Sequence, residues 1–140
     1  MASGMYSKTL KLFADGDIDY LVDTINATLV DAADYTVLLN TDDFYDDVPA
    51  AARATNGTGA LASKTTAVVT ATLTIDAGDL TLVAVTGDPS EAVVIYKDTG
   101  GADSTDPLIA YLELTAPVTP NGGNITLQWH TNGLMQWVRQ

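Results

Sequence analysis

The sequence predicts a mainly β domain, an antiparallel β-sandwich or partly closed barrel with a short N-terminal helix. Three observations predict it. The acidic residues are sixteen Asp against two Glu, Glu91 and Glu113, and aspartate suits turns and caps better than helix interiors because its short side chain competes for nearby backbone donors. Twenty threonines accompany the valines, the β-branched types that fit a pleated surface. Apolar and polar residues alternate in short segments set apart by Gly, Pro, Asn and Asp. At 140 residues, 46% of them hydrophobic and 17% charged, the chain is sized for one β-rich domain over residues 1–140 with a core of its own.

The elements follow in chain order. Ser3 is placed to cap a helix in which Tyr6, Leu10 and Phe13 share a face, and Gly16 is placed to end it. Residues 1–15 read as a candidate docking arm. Residues 24–30 alternate, with Ile25, Ala27 and Leu29 inward and Asn26 and Thr28 toward water. Residues 35–39 are apolar enough for a short buried strand or for the lead into a turn. Residues 40–49 read as a one-turn helix with Thr41 as its cap, Asp42 and Asp43 at its positive end and Pro49 at its stop. Residues 50–62 shift to Ala, Gly, Thr and Asn, and Asn56-Gly57 marks them as a flexible loop.

The second half is strand-rich. Residues 64–75 alternate as one strand, with Ala67, Val69, Ala71, Leu73 and Ile75 on one face, before a turn over residues 76–79. Residues 80–85 run back, and Gly87-Asp88-Pro89 breaks them. Residues 92–96 are apolar on both faces, as in a central strand. A polar loop over residues 98–107 leads to an alternating strand at 108–114, a turn region at 117–123 and a strand at 124–130 with Ile125, Leu127 and Trp129 inward. A short apolar piece at 134–138 closes the chain.

Composition also narrows function. A net charge of −12 repels a phosphate backbone, so no nucleic-acid partner is expected. The chain has no cysteine, which removes disulfides, thiol catalysis and thiolate metal sites. No apolar run approaches the roughly 20 residues of a membrane span, and the start lacks the run of about 7 to 15 that a secretory signal needs. No membrane partner is expected, and synthesis in soluble form in the cytoplasm is. The one histidine, His130, and the serines Ser3, Ser7, Ser63, Ser90 and Ser104 lie in no Gly-x-Ser-x-Gly context, so no catalytic residue is assigned and no enzyme is expected.

Calcium is the cation that such an aspartate-rich chain suits best. Asp15, Asp17 and Asp19, or Asp42, Asp43, Asp46 and Asp47, supply carboxylates, but neither run has the glycine and terminal Glu of an EF-hand loop. Capped helix ends and solvated turns explain both better, so neither metal nor cofactor is expected. Trp129, Trp137, Tyr96 and Tyr111 suit core packing, with a sugar-binding platform as the alternative. Leu134, Met135 and Trp137 form an apolar tail that reads as a contact between subunits.

Five segments carry a resemblance: Asp-Thr-Ile-Asn-Ala-Thr-Leu-Val at 23–30, Thr-Asp-Asp-Phe-Tyr-Asp-Asp-Val at 41–48, Glu-Ala-Val-Val-Ile-Tyr-Lys-Asp-Thr-Gly at 91–100, Ser-Thr-Asp-Pro-Leu-Ile-Ala-Tyr-Leu at 104–112, and Asn-Ile-Thr-Leu-Gln-Trp-His-Thr-Asn-Gly-Leu at 124–134. Together the chain resembles a family of small structural proteins encoded by tailed bacteriophages. The resemblance implies a virion protein, and its extension is a capsid decoration, or cement, protein on the outer capsid surface. Its partners would be the major capsid protein and itself, as a homotrimer. Tyr6, Lys8, Leu10, Lys11 and Phe13 are then the capsid-docking residues, since this segment carries two of the six cations and no acid before Asp15; the 55–63 loop is second. The alternative is a tail or fibre component with a carbohydrate-binding β-sandwich.

Overall fold

A computed structural model describes residues 3–139. The fold is mainly β, with several antiparallel sheets, one short helix and no closed barrel among the described residues. Its largest sheet has the order β1 (Gly4–Met5), β8 (Leu108–Val118), β7 (Ser90–Lys97), β2 (Ile25–Val30), β3 (Arg53–Ala60). Two small sheets accompany it. One has the order β10 (Met135–Val138), β5 (Thr72–Asp76), β4 (Thr65–Val69), and the other pairs β6 (Leu80–Leu82) with β9 (Ile125–Leu127).

The central strands β2 and β7 of the large sheet are buried on both faces, and this overturns the expected alternation of β2. Ile25, Ala27 and Leu29 share one core with Val93 and Ile95, closed by Ile75, Leu82, Leu127 and Met135 from the small sheets. Val30, Ala92, Val94 and Tyr96 face a second core that Tyr35, Val37, Tyr45 and Val48 complete from the loop segment before β3. Asn26 and Thr28 therefore lie inside, at 8% and 0% exposure, where their polar atoms must find partners. Asn26 Nδ2 donates to Tyr96 Oη and Asp98 Oδ2, at 3.2 and 3.0 Å. The Thr28 hydroxyl lies 3.0 Å from that of Tyr45 and 2.8 Å from that of Thr58.

Three other expectations change. Residues 53–60, read as a loop, form β3 on the edge of the large sheet. The Asn56-Gly57 signal marks a bulge rather than a turn: the register slips between Thr28 and Val30, Asn56 adopts φ 58°, and a Cβ on Gly57 would sit 2.6 Å from that of Ala54. Residues 64–75 are not one strand but the β4–β5 hairpin, closed between Val69 and Thr72. Thr70 takes φ 49° there, a left-handed conformation unusual for a β-branched residue, so no Gly or Asn announces the turn. The one-turn helix expected at 40–49 is a 3-10 turn over Tyr45–Asp47, with Phe44 rather than Thr41 at its N-cap. Residues 35–39 form no strand, although Tyr35 and Val37 are buried.

The helix α1 spans Thr9–Asp15 and ends, as expected, at Gly16 with φ 81°. It starts later than the sequence suggests, so Tyr6 precedes it. Ser3 does not cap it; its Oγ accepts from the Glu113 N–H at 2.8 Å. The segment is not a projecting arm. Gly4 and Met5 pair with Tyr111 and Ala110 on β8, Tyr6 is 1% exposed, and the buried Thr9 hydroxyl lies 2.9 Å from the Leu108 carbonyl. It finishes one edge of the large sheet.

Candidate functional site

The expected docking residues divide between inside and outside. Tyr6 belongs to the second core, and Phe13 is half-buried against Trp137, ring centroids 6.0 Å apart at 77°. Lys8, Leu10 and Lys11 are exposed. Lys8 forms an ion pair with Asp43 and stands 5.9 Å from the Phe44 ring centroid. The Ser7 N–H donates to the Leu39 carbonyl at 2.8 Å, and the Ser7 hydroxyl donates to Asn40 Oδ1 at 2.8 Å. These bonds join the start of α1, which carries exposed Leu10, to the 38–44 segment, which carries exposed Leu38 and Phe44. The 38–44 contribution escaped the sequence reading, because nothing in the spacing links residues 7 and 40.

The expected subunit contact divides too. Leu134 and Met135 are core residues, held there because β10 pairs Met135 with Ile75 and Trp137 with Leu73. Trp137 remains half-buried. The same register puts Val68, Leu73 and Trp137 in one row across this small sheet. The row lines an open apolar groove, and Val68 is 72% exposed. On the opposite face Val69 and Val138 occupy the next row, both exposed. Of the three residues expected at a contact, Trp137 alone lies in this row, while Leu134 and Met135 face the core.

The carboxylate runs singled out in the sequence are engaged locally. Asp42 Oδ2 accepts from the Tyr35 hydroxyl and the Leu38 N–H, at 2.7 and 2.8 Å, while Asp47 Oδ2 accepts from the Asp43 and Phe44 N–H groups. Asp19 Oδ1 accepts from Leu21 and Val22 N–H, and Asp15 pairs with Lys11. The carboxylates that do converge are Asp31, Asp34 and Asp88, within 4.8 Å of one another. Asp31 and Asp34 belong to one turn and Asp88 comes from a distant one, and Asp31 Oδ1 also accepts from the Ala33 N–H at 2.7 Å.

Cations are engaged as well. Arg53 pairs with Asp103 at 2.6 Å and Lys97 with Asp23 at 2.9 Å; burial works against the Asp23 carboxylate, yet the Lys97 hydrogen bond and charge hold it below the ordinary range. Arg53 also lies 3.8 Å over the Tyr45 ring and donates to the Tyr45 and Val48 carbonyls. It pins the 45–48 segment across the sheet, with Tyr45 stacked on Tyr96 at 3.9 Å. Burial pushes the hydroxyls of Tyr6, Tyr20, Tyr35 and Tyr111 upward and that of Tyr96 up to about 12.

His130 is exposed, and its Nδ1 accepts from the Asn132 N–H at 3.1 Å. With Glu113, Gln128 and Trp129 it lines a cleft of about 350 Å³. Trp129 is half-buried and fixed by donation from its indole N–H to the Gly78 carbonyl at 2.9 Å. No helix among the described residues is long and apolar enough to cross a membrane. The chain matches no known family model and no curated protein.

Proposed function

We propose that this chain is a structural protein of a tailed-phage virion that binds the outside of the assembled capsid and stabilises it, as a decoration or cement protein. The observation that carries the reading is the charge arrangement. A net charge of −12 is combined with ion-paired cations at Lys8, Lys11, Arg53 and Lys97. Such a surface is repelled by the packaged polyanion and tolerated on the outer face of a shell. The resemblance of segments 23–30, 41–48, 91–100, 104–112 and 124–134 to phage structural proteins supports the same placement. A subunit that binds the closed lattice and not free capsomers stabilises the lattice by mass action.

The surface made by the start of α1 and the 38–44 segment, with Lys8, Leu10, Lys11 and Phe44, would face the major capsid protein. Its exposed apolar side chains, and lysines that offset Asp43 and Asp15, make it less repulsive than the aspartate-rich turns. The test is to mix the purified protein with undecorated shells and sediment them. Saturable co-sedimentation, weakened by Leu10→Asp, supports the reading; protein left in the supernatant at every ratio refutes it.

A tail or fibre component that binds carbohydrate is the second reading, favoured by the cleft beside Trp129. A fixed indole at a cleft suits stacking on a sugar ring. Its signature is a saturable shift in tryptophan fluorescence on titration with host polysaccharide, absent in Trp129→Leu.

A further inference from the structure

The small sheet β10-β5-β4 ends in a strand with no neighbour on its outer side among the described residues. All five residues of β4, Thr65, Thr66, Ala67, Val68 and Val69, are exposed. Such an edge presents a row of N–H and C=O groups to any strand that can pair with it, and folded chains usually blunt it with Lys, Pro, a bulge or a covering loop. Among the described residues β4 has none of these, since Lys64, which precedes it, is held by the Asp23 carbonyl and the Tyr20 ring. Residues 65–75 contain no charged residue and no proline, and the β4–β5 register runs without a bulge from Thr65↔Asp76 to Val69↔Thr72.

The charge distribution indicates what covers this edge. Two copies at −12 each repel across most of their surfaces, and they meet at least cost where neither carries charge. A basic partner would be drawn to the aspartate-rich surfaces instead. An uncharged edge therefore selects a partner with an uncharged strand edge of its own, which a second copy of this chain supplies. We infer that β4 pairs antiparallel with β4 of a second copy, joining the two small sheets into one six-stranded sheet across a two-fold axis.

The side-chain pattern sets the register. A one-residue slip would bring side chains of opposite faces together, so the two-fold must relate residues that share a face. Centring it on Ala67 engages the whole strand: Ala67 meets Ala67 of the second copy, each Thr66 meets Val68, and each Thr65 meets Val69. Both rows of Val68, Leu73 and Trp137 then lie on the same side of the joined sheet. The contact is isologous and closes at two copies, whereas a trimer requires two different surfaces on each subunit. The inference goes beyond placement on a capsid and is tested on the isolated full chain, so failure to bind shells leaves it standing.

The chain has no cysteine, which gives a direct test. Directly opposed residues of antiparallel strands bring Cα atoms to about 4.5–5.5 Å, within disulfide reach. Ala67→Cys should therefore form a covalent dimer on mild oxidation, while Ser104→Cys, at an exposed position of the 98–107 loop, should not. Sedimentation equilibrium of the unmodified protein should give a monomer–dimer equilibrium that tightens as salt screens the acidic bodies. Val68→Lys places a charge in the joined edge of both copies and should weaken the dimer by about tenfold or more, with an unchanged circular dichroism spectrum because Val68 is exposed. A monomer at all concentrations overturns the inference. So does a trimer, or a dimer that Ala67→Cys does not cross-link. If Val68→Lys fails to fold, the cross-linking result decides alone.

Discussion

β7 and β4 are written in similar residues and end in opposite situations. Ala92, Val93, Val94, Ile95 and Tyr96 of β7 are all buried, whereas Thr65 to Val69 of β4 are all exposed. β7 lies between β2 and β8 with a core on each face, and β4 has β5 on one side only. Strand propensity is thus common to both, and coverage decides what each strand does. In β7 apolar surface removed from water stabilises the fold. In β4 similar chemistry remains available for assembly.

The largest way to break the buried side of this comparison is alkali. Burial holds Tyr6, Tyr20, Tyr35, Tyr96 and Tyr111 above their ordinary value of 10.0. Unfolded, they ionise near that value, so the stability they supply is complete below pH 10 and is lost as pH rises beyond it. Tyrosinate absorbance and loss of near-ultraviolet circular dichroism should rise together in one transition. Tyrosinate forming well before unfolding would contradict the packing of Tyr20 in the first core and of the other four in the second.

Single substitutions sharpen the contrast. Ile95→Ala, at a fully buried site, should cost about 2–5 kcal/mol in denaturant unfolding, while Val69→Ala on β4 should stay within about 0.5 kcal/mol. Thr28→Val keeps the volume but removes a hydroxyl that serves Tyr45 and Thr58; a loss of about 1–3 kcal/mol is expected, because the remaining buried hydroxyl of Tyr45 loses a partner. The smallest effect has the opposite sign. Ser90 is 1% exposed, and its Oγ has no hydrogen-bond partner among the described residues, so Ser90→Ala should stabilise by about 1 kcal/mol or less.

Local chemistry made β7, β8, the Gly16 helix end and the turn after β5 legible in the sequence. What it could not show is which faces are covered. Asn26 and Thr28 read as solvent-facing because polar residues usually are; they are buried because Tyr45, Thr58, Tyr96 and Asp98, distant in sequence, supply their partners. β3 read as a loop because its Gly and Asn content reflects a bulge rather than a break, and pairing with β2 overrides weak propensity. The β4–β5 hairpin stayed hidden because Thr70 turns the chain without a turn residue.

The site was legible to a similar depth. The N-terminal segment was chosen for its charge, and Lys8, Leu10 and Lys11 are indeed exposed. The spacing that puts Tyr6, Leu10 and Phe13 on one helical face starts three residues before the helix does, and the structure leaves Leu10 exposed, Phe13 half-buried and Tyr6 buried. Leu134 and Met135 were chosen as an apolar tail, and their pairing with β5 turns them inward. The uncharged edge of β4 left no motif at all; it is visible only once the strand is known to have one neighbour.

Native-state hydrogen exchange of the isolated chain at low and high protein concentration tests the division between buried sheet and bare edge most directly. The β2 and β7 amides should be the slowest at both concentrations. Outward-facing β4 amides should exchange rapidly when dilute and become protected when concentrated. Protection in β4 that ignores concentration, or β7 amides that exchange as fast as those of β4, would contradict it.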